Sequence, residues 1–178
     1  MSSIAPEILF KTMLKSFAST LRAEAVRLSE LGVQIPNILI IDMIINTIKE
    51  YPDVLIIEKF IEKSFENNES KFWIDIKNRN DKELIEGIGK VFGNLPNISY
   101  FNNILDSNDA NGKPYVSKET KEKVFKFVDT FIRHSIKYIH LKREPTIENG
   151  KRIYKVDYCN HIDLDKYSEM FNVKGLNF

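Results

Sequence analysis

The stretch Pro36-Asn37-Ile38-Leu39-Ile40-Ile41-Asp42-Met43-Ile44-Ile45-Asn46-Thr47-Ile48-Lys49-Glu50 decides how the rest of the chain is read. Pro36 blocks extension of a preceding helix, and Asn37 offers a side-chain oxygen to the free N–H groups of a first turn. Eight apolar side chains from Ile38 to Ile48 then surround most of the helix circumference. A helix that is apolar on nearly all sides belongs in a core, so this one is expected at the centre of the fold. Burying eight such side chains gives ~12–24 kcal/mol gross, and ordering about fourteen residues costs a similar amount. The helix therefore depends on its neighbours. Asp42, Asn46 and Thr47 interrupt a run already shorter than the roughly 20 apolar residues that cross a bilayer, so no membrane partner is expected.

Working outward, the same helix start recurs as Pro52-Asp53-Val54-Leu55-Ile56-Ile57-Glu58 and again as Pro96-Asn97-Ile98. The Asp53 helix is expected to reach about Glu66, with Val54, Ile57, Ile61 and Phe65 inward and Asp53 as its cap. Upstream, Ser3 is the expected N-cap of a first helix with Pro6 in its first turn. Phe10, Leu14, Phe17, Leu21, Ala25 and Leu28 form its stripe, and Gly32 stops it. Downstream, a short helix runs through Phe72, Trp73 and Ile76. Asn80 with Glu83 reads as a capping box ahead of Leu84, Ile85, Ile88, Val91 and Phe92. Gly87 and Gly89 inside this helix each cost ~1 kcal/mol against Ala, which suggests a close neighbour. The Pro96 helix ends near Leu105, and Asp106 to Tyr115 is a loop. Ser117 caps the longest helix, through about Lys142, with a stripe of Val124, Phe127, Val128, Phe131, Ser135, Tyr138 and Ile139. Around Asn149-Gly150 the pattern becomes a β-hairpin with a type I′ turn, and Asp163 caps a short final helix to Phe171.

These elements predict a mainly α fold: an orthogonal bundle of about seven helices around the central apolar helix, followed by a small C-terminal β-hairpin and the short final helix. With 178 residues, 43% hydrophobic and 29% charged, residues 1–178 read as one domain, with a helical core over 4–142 and the hairpin and terminal helix over 145–172. A single cysteine, Cys159, excludes an intramolecular disulfide. With no basic, apolar leader at the N-terminus, an intracellular, reducing compartment is expected.

Candidate chemistry is sparse. The net charge of +1 argues for no particular partner, but the charges are unevenly spread. Between Lys113 and Lys155 twelve Lys or Arg face five acids, whereas between Asp42 and Glu69 seven acids face three Lys. Lys142, Arg143, Lys151, Arg152 and Lys155 are the candidate patch for phosphate or an acidic partner, where the long helix meets the hairpin. The uneven charge also permits head-to-tail self-association. Asp106, Asn108, Asp109, Asn111 and Gly112 resemble a calcium loop in composition, but Lys118 stands where the bidentate Glu is required. Cys159 and His161 would share one strand face, yet two ligands do not make a zinc site, and adjacency does not make a catalytic pair. No phosphate-binding Gly-rich loop, nucleophile elbow or metalloprotease helix is present in the sequence. No catalytic residue, cofactor or metal is therefore expected.

The runs Phe72-Trp73-Ile74-Asp75-Ile76-Lys77-Asn78-Arg79-Asn80, Val91-Phe92-Gly93-Asn94-Leu95-Pro96 and Ser135-Ile136-Lys137-Tyr138-Ile139-His140, with the Ile/Lys/Asn bias, resemble small helical proteins of unknown function from giant nucleocytoplasmic DNA viruses. That resemblance implies a virion or viral-factory protein in the host cytoplasm and supplies no catalytic residues. The expectation is a non-enzymatic helical structural or protein-interaction protein, with a protein partner or self-association. The alternative is a nucleic-acid-associated protein binding the phosphate backbone through the basic patch.

Overall fold

The computed structural model describes residues 3–34, 38–92, 95, 100–156 and 159–173. Among these residues lie eight helices and three strands: α1 (Pro6–Glu30), α2 (Ile38–Glu50), α3 (Asp53–Ser64), α4 (Lys71–Lys77), α5 (Asp81–Val91), α6 (Tyr100–Leu105), α7 (Lys118–Lys142), β1 (Thr146–Glu148), β2 (Lys151–Val156), β3 (Cys159–Asp163) and α8 (Leu164–Met170). The fold is mainly helical with a small C-terminal sheet and a short final helix, as the sequence pattern predicts.

Two 25-residue helices form the spine. Contacts from α1 to α7 run in opposite chain directions: Glu7 to Lys142, Phe10 to Phe131, Phe17 to Phe127. The pair is therefore antiparallel. The α1 stripe of Phe10, Leu14, Phe17, Leu21, Ala25 and Leu28 is wholly buried. Around it, Phe10 meets Phe60 of α3 at 5.1 Å between centroids and Phe131 at 5.0 Å, and Phe60 meets Phe92 at 5.3 Å. Offset and edge-on ring pairs add ~0.5–1.5 kcal/mol each to their burial, so this phenylalanine cluster ties α1, α3, α5 and α7 together.

The Ile-rich helix α2 is not the hub. Ile41, Ile44 and Ile48 are buried at helical spacing, but Leu39 and Met43 are 66% and 59% exposed. It lies along α1, held by Arg22 to Asp42 at 2.6 Å and by Lys11, which donates to the carbonyls of Lys49 and Tyr51 at 2.8 and 2.7 Å. A 13-residue helix against one neighbour can bury only one face. The longer α1 already fills the centre with a stripe of its own. The Asn37 cap lies outside the described residues.

Other helix ends test the expected caps. Ser117, Asn80 and Asp163 each accept a backbone N–H three residues on. Ser3 does not cap α1, where Ala5 is the N-cap without a side-chain bond and Pro6 opens the helix. Asp53 does not cap α3 either. It is the first helical residue, and its carboxylate lies 3.2 Å from Lys11. On α3 the buried set is Ile56, Ile57, Phe60 and Ile61, with Val54 turned outward. Gly87 is explained by Phe72 of α4: a Cβ there would stand 2.3 Å from the Phe72 ring. The Pro96 helix start lies outside the described residues.

The expected hairpin is a three-stranded antiparallel meander in the order β1-β2-β3. Asn149 and Gly150 take φ of 51° and 76°, the left-handed pair that a type I′ turn demands. Tyr154, Val156, Cys159 and Ile162 join the main core. Below them Phe65, Trp73 and Tyr167 form a second aromatic cluster, with Phe65 to Trp73 at 4.9 Å and Trp73 to Tyr167 at 5.2 Å. The Tyr167 hydroxyl accepts the Ser70 N–H at 2.9 Å.

Candidate functional site

The five candidate basic residues do not form one face. Lys142 and Arg143, at the C-terminal end of α7, turn back onto the fold. Lys142 lies 3.6 Å from the buried Glu7, and Arg143 donates to Glu58 of α3 at 3.0 and 3.3 Å. The Tyr138 hydroxyl donates to the same carboxylate at 2.7 Å. Burial, then the bond to Glu58, holds that phenol well above its ordinary range. Lys151 pairs with Asp163 across β2 and β3 at 3.0 Å. Arg152 is half-buried on the opposite strand face, beside Tyr154 and His140, and its backbone N–H points to Asp165 at 3.5 Å. Lys155 is exposed. Three of the five thus sit within 4 Å of a carboxylate from another element. Their charge is spent largely on closing the fold.

Cys159 and His161 are also separated. The β2–β3 register runs Ile153 to Asp163 and Tyr154 to Ile162, then Val156 to Cys159. Three steps on β3 match two on β2, which is a bulge. One extra residue between Cys159 and Ile162 reverses the alternation, so Cys159 enters the core beside Asn68 at 3.4 Å while His161 faces Glu148 at 3.1 Å. Neither side chain can serve the other. In the 106–115 loop Asp109 accepts the N–H groups of Asn111 and Lys113 at 2.8 and 2.9 Å, a self-closed turn. Among the described residues no group of three His, Cys, Asp or Glu could hold a metal ion, and no helix is long and apolar enough to cross a membrane.

A cluster the sequence did not indicate surrounds Arg79, which sits at φ 57° after α4. Its guanidinium grips Asp129 at 2.8 and 3.1 Å, reaches Glu122 at 3.1 Å and stacks over Phe125 at 5.1 Å. This pins the α4–α5 turn to α7. The left-handed backbone required there is invisible in an Asn-Arg-Asn string.

Among the open grooves formed by the described residues, three stand out. One of about 450 Å³ between α3, α4 and α5 mixes acids and lysines that largely pair, including Glu66 with Lys90 and Lys71 with Glu83. A second of about 570 Å³ lies beside α8 and is lined by Lys151, Asp163, Asp165, Lys166, Glu169 and Met170. The third, about 390 Å³, lies between α1 and α7 and is lined by Met13, Thr20, Lys123, Lys126, Phe127 and Thr130. Comparison with known protein families, characterised proteins and solved structures yields no match.

Proposed function

We propose that the chain is a non-enzymatic helical structural or interaction protein whose contact surface is the outward strip of α2. The observation that carries this reading is the exposure of Leu39 and Met43 at i, i+4 on a helix whose only charge between Ile38 and Ile48, Asp42, is tied to Arg22. A charge-free apolar strip is self-complementary: two copies laid antiparallel about a two-fold axis oppose no like charges and align their helix dipoles favourably. The occupant in this reading is a second copy of the chain. Burying four such half-exposed side chains gives ~5 kcal/mol gross, and an association cost of at least ~4 kcal/mol leaves only a weak, concentration-dependent dimer.

The pairing of Lys142, Arg143 and Lys151 with Glu7, Glu58 and Asp163 favours this reading over a phosphate-backbone role, since paired cations release fewer counterions from nucleic acid. A place in a virion or viral factory rests on the sequence resemblance. Sedimentation velocity of the purified chain, beside the Leu39→Glu/Met43→Glu variant, tests the proposal. A concentration-dependent dimer that the variant abolishes at an unchanged melting temperature supports it. A wild-type chain that stays monomeric throughout overturns it.

A further inference from the structure

The groove between α1 and α7 differs from the other two in its charge. Only two charged residues line it, Lys123 and Lys126, and both are cationic. Neither ammonium meets a carboxylate among the described residues, although acids are close along the same helix. Glu122 and Asp129, on the neighbouring flank of α7, are both held by Arg79. Arg79 thus holds two nearby carboxylates, and the exposed Glu119, one turn before Lys123, forms no ion pair with either lysine among the described residues, so both ammoniums stand unpaired beside an apolar floor.

That floor is Met13 and Phe127, both partly buried against the core. Thr20 and Thr130 close its sides, and their hydroxyls already donate to the carbonyls of Ser16 and Lys126 at 3.0 Å each. The hydroxyls remain able to accept but have no proton left for an anion. The Phe127 ring packs on Phe17 with centroids 5.6 Å apart, so it is not a bare platform for a nucleobase. What fits is an aliphatic side chain between the thioether and the ring edge, with carboxylates a helical turn apart above Lys123 and Lys126.

We propose that this groove docks an acidic amphipathic helix of a protein partner, with one aliphatic anchor on Met13 and Phe127. The site is separate from the α2 strip. At roughly 100° per residue, Met13 and Thr20 lie about half a turn around α1 from Lys11 and Arg22, which reach α2. The two surfaces are therefore on opposite sides of α1, and either proposal can fail without the other.

The experiment uses the full chain and a fluorescein-labelled acidic amphipathic peptide of alternating Glu and Leu turns. Its Glu→Gln counterpart and a single-stranded oligonucleotide of matched charge serve as competing probes. Anisotropy titrations are run on wild type, Lys123→Glu/Lys126→Glu and Met13→Glu. The acidic peptide is expected to bind wild type, to weaken about tenfold on charge reversal of the two lysines, and to weaken similarly in Met13→Glu. The Glu→Gln peptide and the oligonucleotide are expected to bind less tightly than the acidic peptide. A circular dichroism melt of each variant separates lost binding from lost fold. If a folded charge-reversal variant binds the peptide as wild type does, or if the oligonucleotide binds more tightly than the peptide, the proposal is wrong.

Discussion

Acidification should unfold this protein partly through one histidine. His134 lies on α7 with its Nδ1 buried and without a hydrogen-bond partner. Burial, with the Lys137 charge one turn away, pushes its imidazole from 6.5 down to about 4. A depressed folded value means that the unfolded chain binds the proton more readily, so stability rises with pH across this window. The contribution is fully present above the unfolded value of 6.5 and is lost as pH falls towards about 4. At about pH 5 the full linkage would be ~2 kcal/mol, and partial exposure of the ring reduces it to ~1 kcal/mol.

His140 is also lowered, by burial and then by Arg152, and adds a penalty of the same sign. Asp42 and Glu66, held low by Arg22 and Lys90, lose their favourable pairing only under more acidic conditions. Comparison with His134→Gln isolates the one group, because every other titration is common to both proteins. Urea denaturation at about pH 7.5 and about pH 5 should show wild type losing ~1 kcal/mol more than His134→Gln over that interval. Equal losses in the two proteins, or a larger loss in the variant, would refute the assigned burial.

Two further outcomes follow from close contacts. Gly87→Ala gains ~1 kcal/mol of helix propensity but drives a methyl into the Phe72 ring at 2.3 and 2.5 Å. Overpacking of ~1–3 kcal/mol should win, for a net loss of ~1 kcal/mol that Phe72→Ala converts to a gain in a double-mutant cycle. Arg79→Ala removes the fork that holds Asp129 and Glu122 on a side chain 34% exposed, and should cost ~1.5–2 kcal/mol by chemical denaturation, with Arg79→Lys recovering less than half.

Local chemistry made much of the fold legible. Ser117, Asn80 and Asp163 bond to the N–H groups three residues ahead, and Asn149-Gly150 adopts the left-handed turn. These are short-range interactions that need no knowledge of the rest of the chain. A strand at Cys159 and His161 was legible, but its pairing with β2 through a bulge was not, because the extra residue in the register leaves no mark on Cys-Asn-His-Ile-Asp. The same bulge separates Cys159 from His161. The candidate basic residues were identifiable by type and position, but their partners, Glu7, Glu58 and Asp163, come from distant elements. The α1–α7 groove was equally hidden, since it depends on Met13 of α1 and Phe127 of α7 lining one hollow across the spine, and on Arg79 from another element holding Glu122 and Asp129.

By itself the sequence determined the approximate extent of most helices, the apolar stripe of α1, and a small β element followed by a short helix after the long α7. Caps, turns and periodicity act over a few residues and are written in order along the chain. Only the tertiary structure decided which stripe holds the centre. An α2 that is apolar around most of its circumference and a one-sided α1 both call for burial, but volume at the core admits one spine, and the longer helix with the larger aromatic side chains fills it. That competition left Leu39 and Met43 facing outward, because packing is settled among all elements at once.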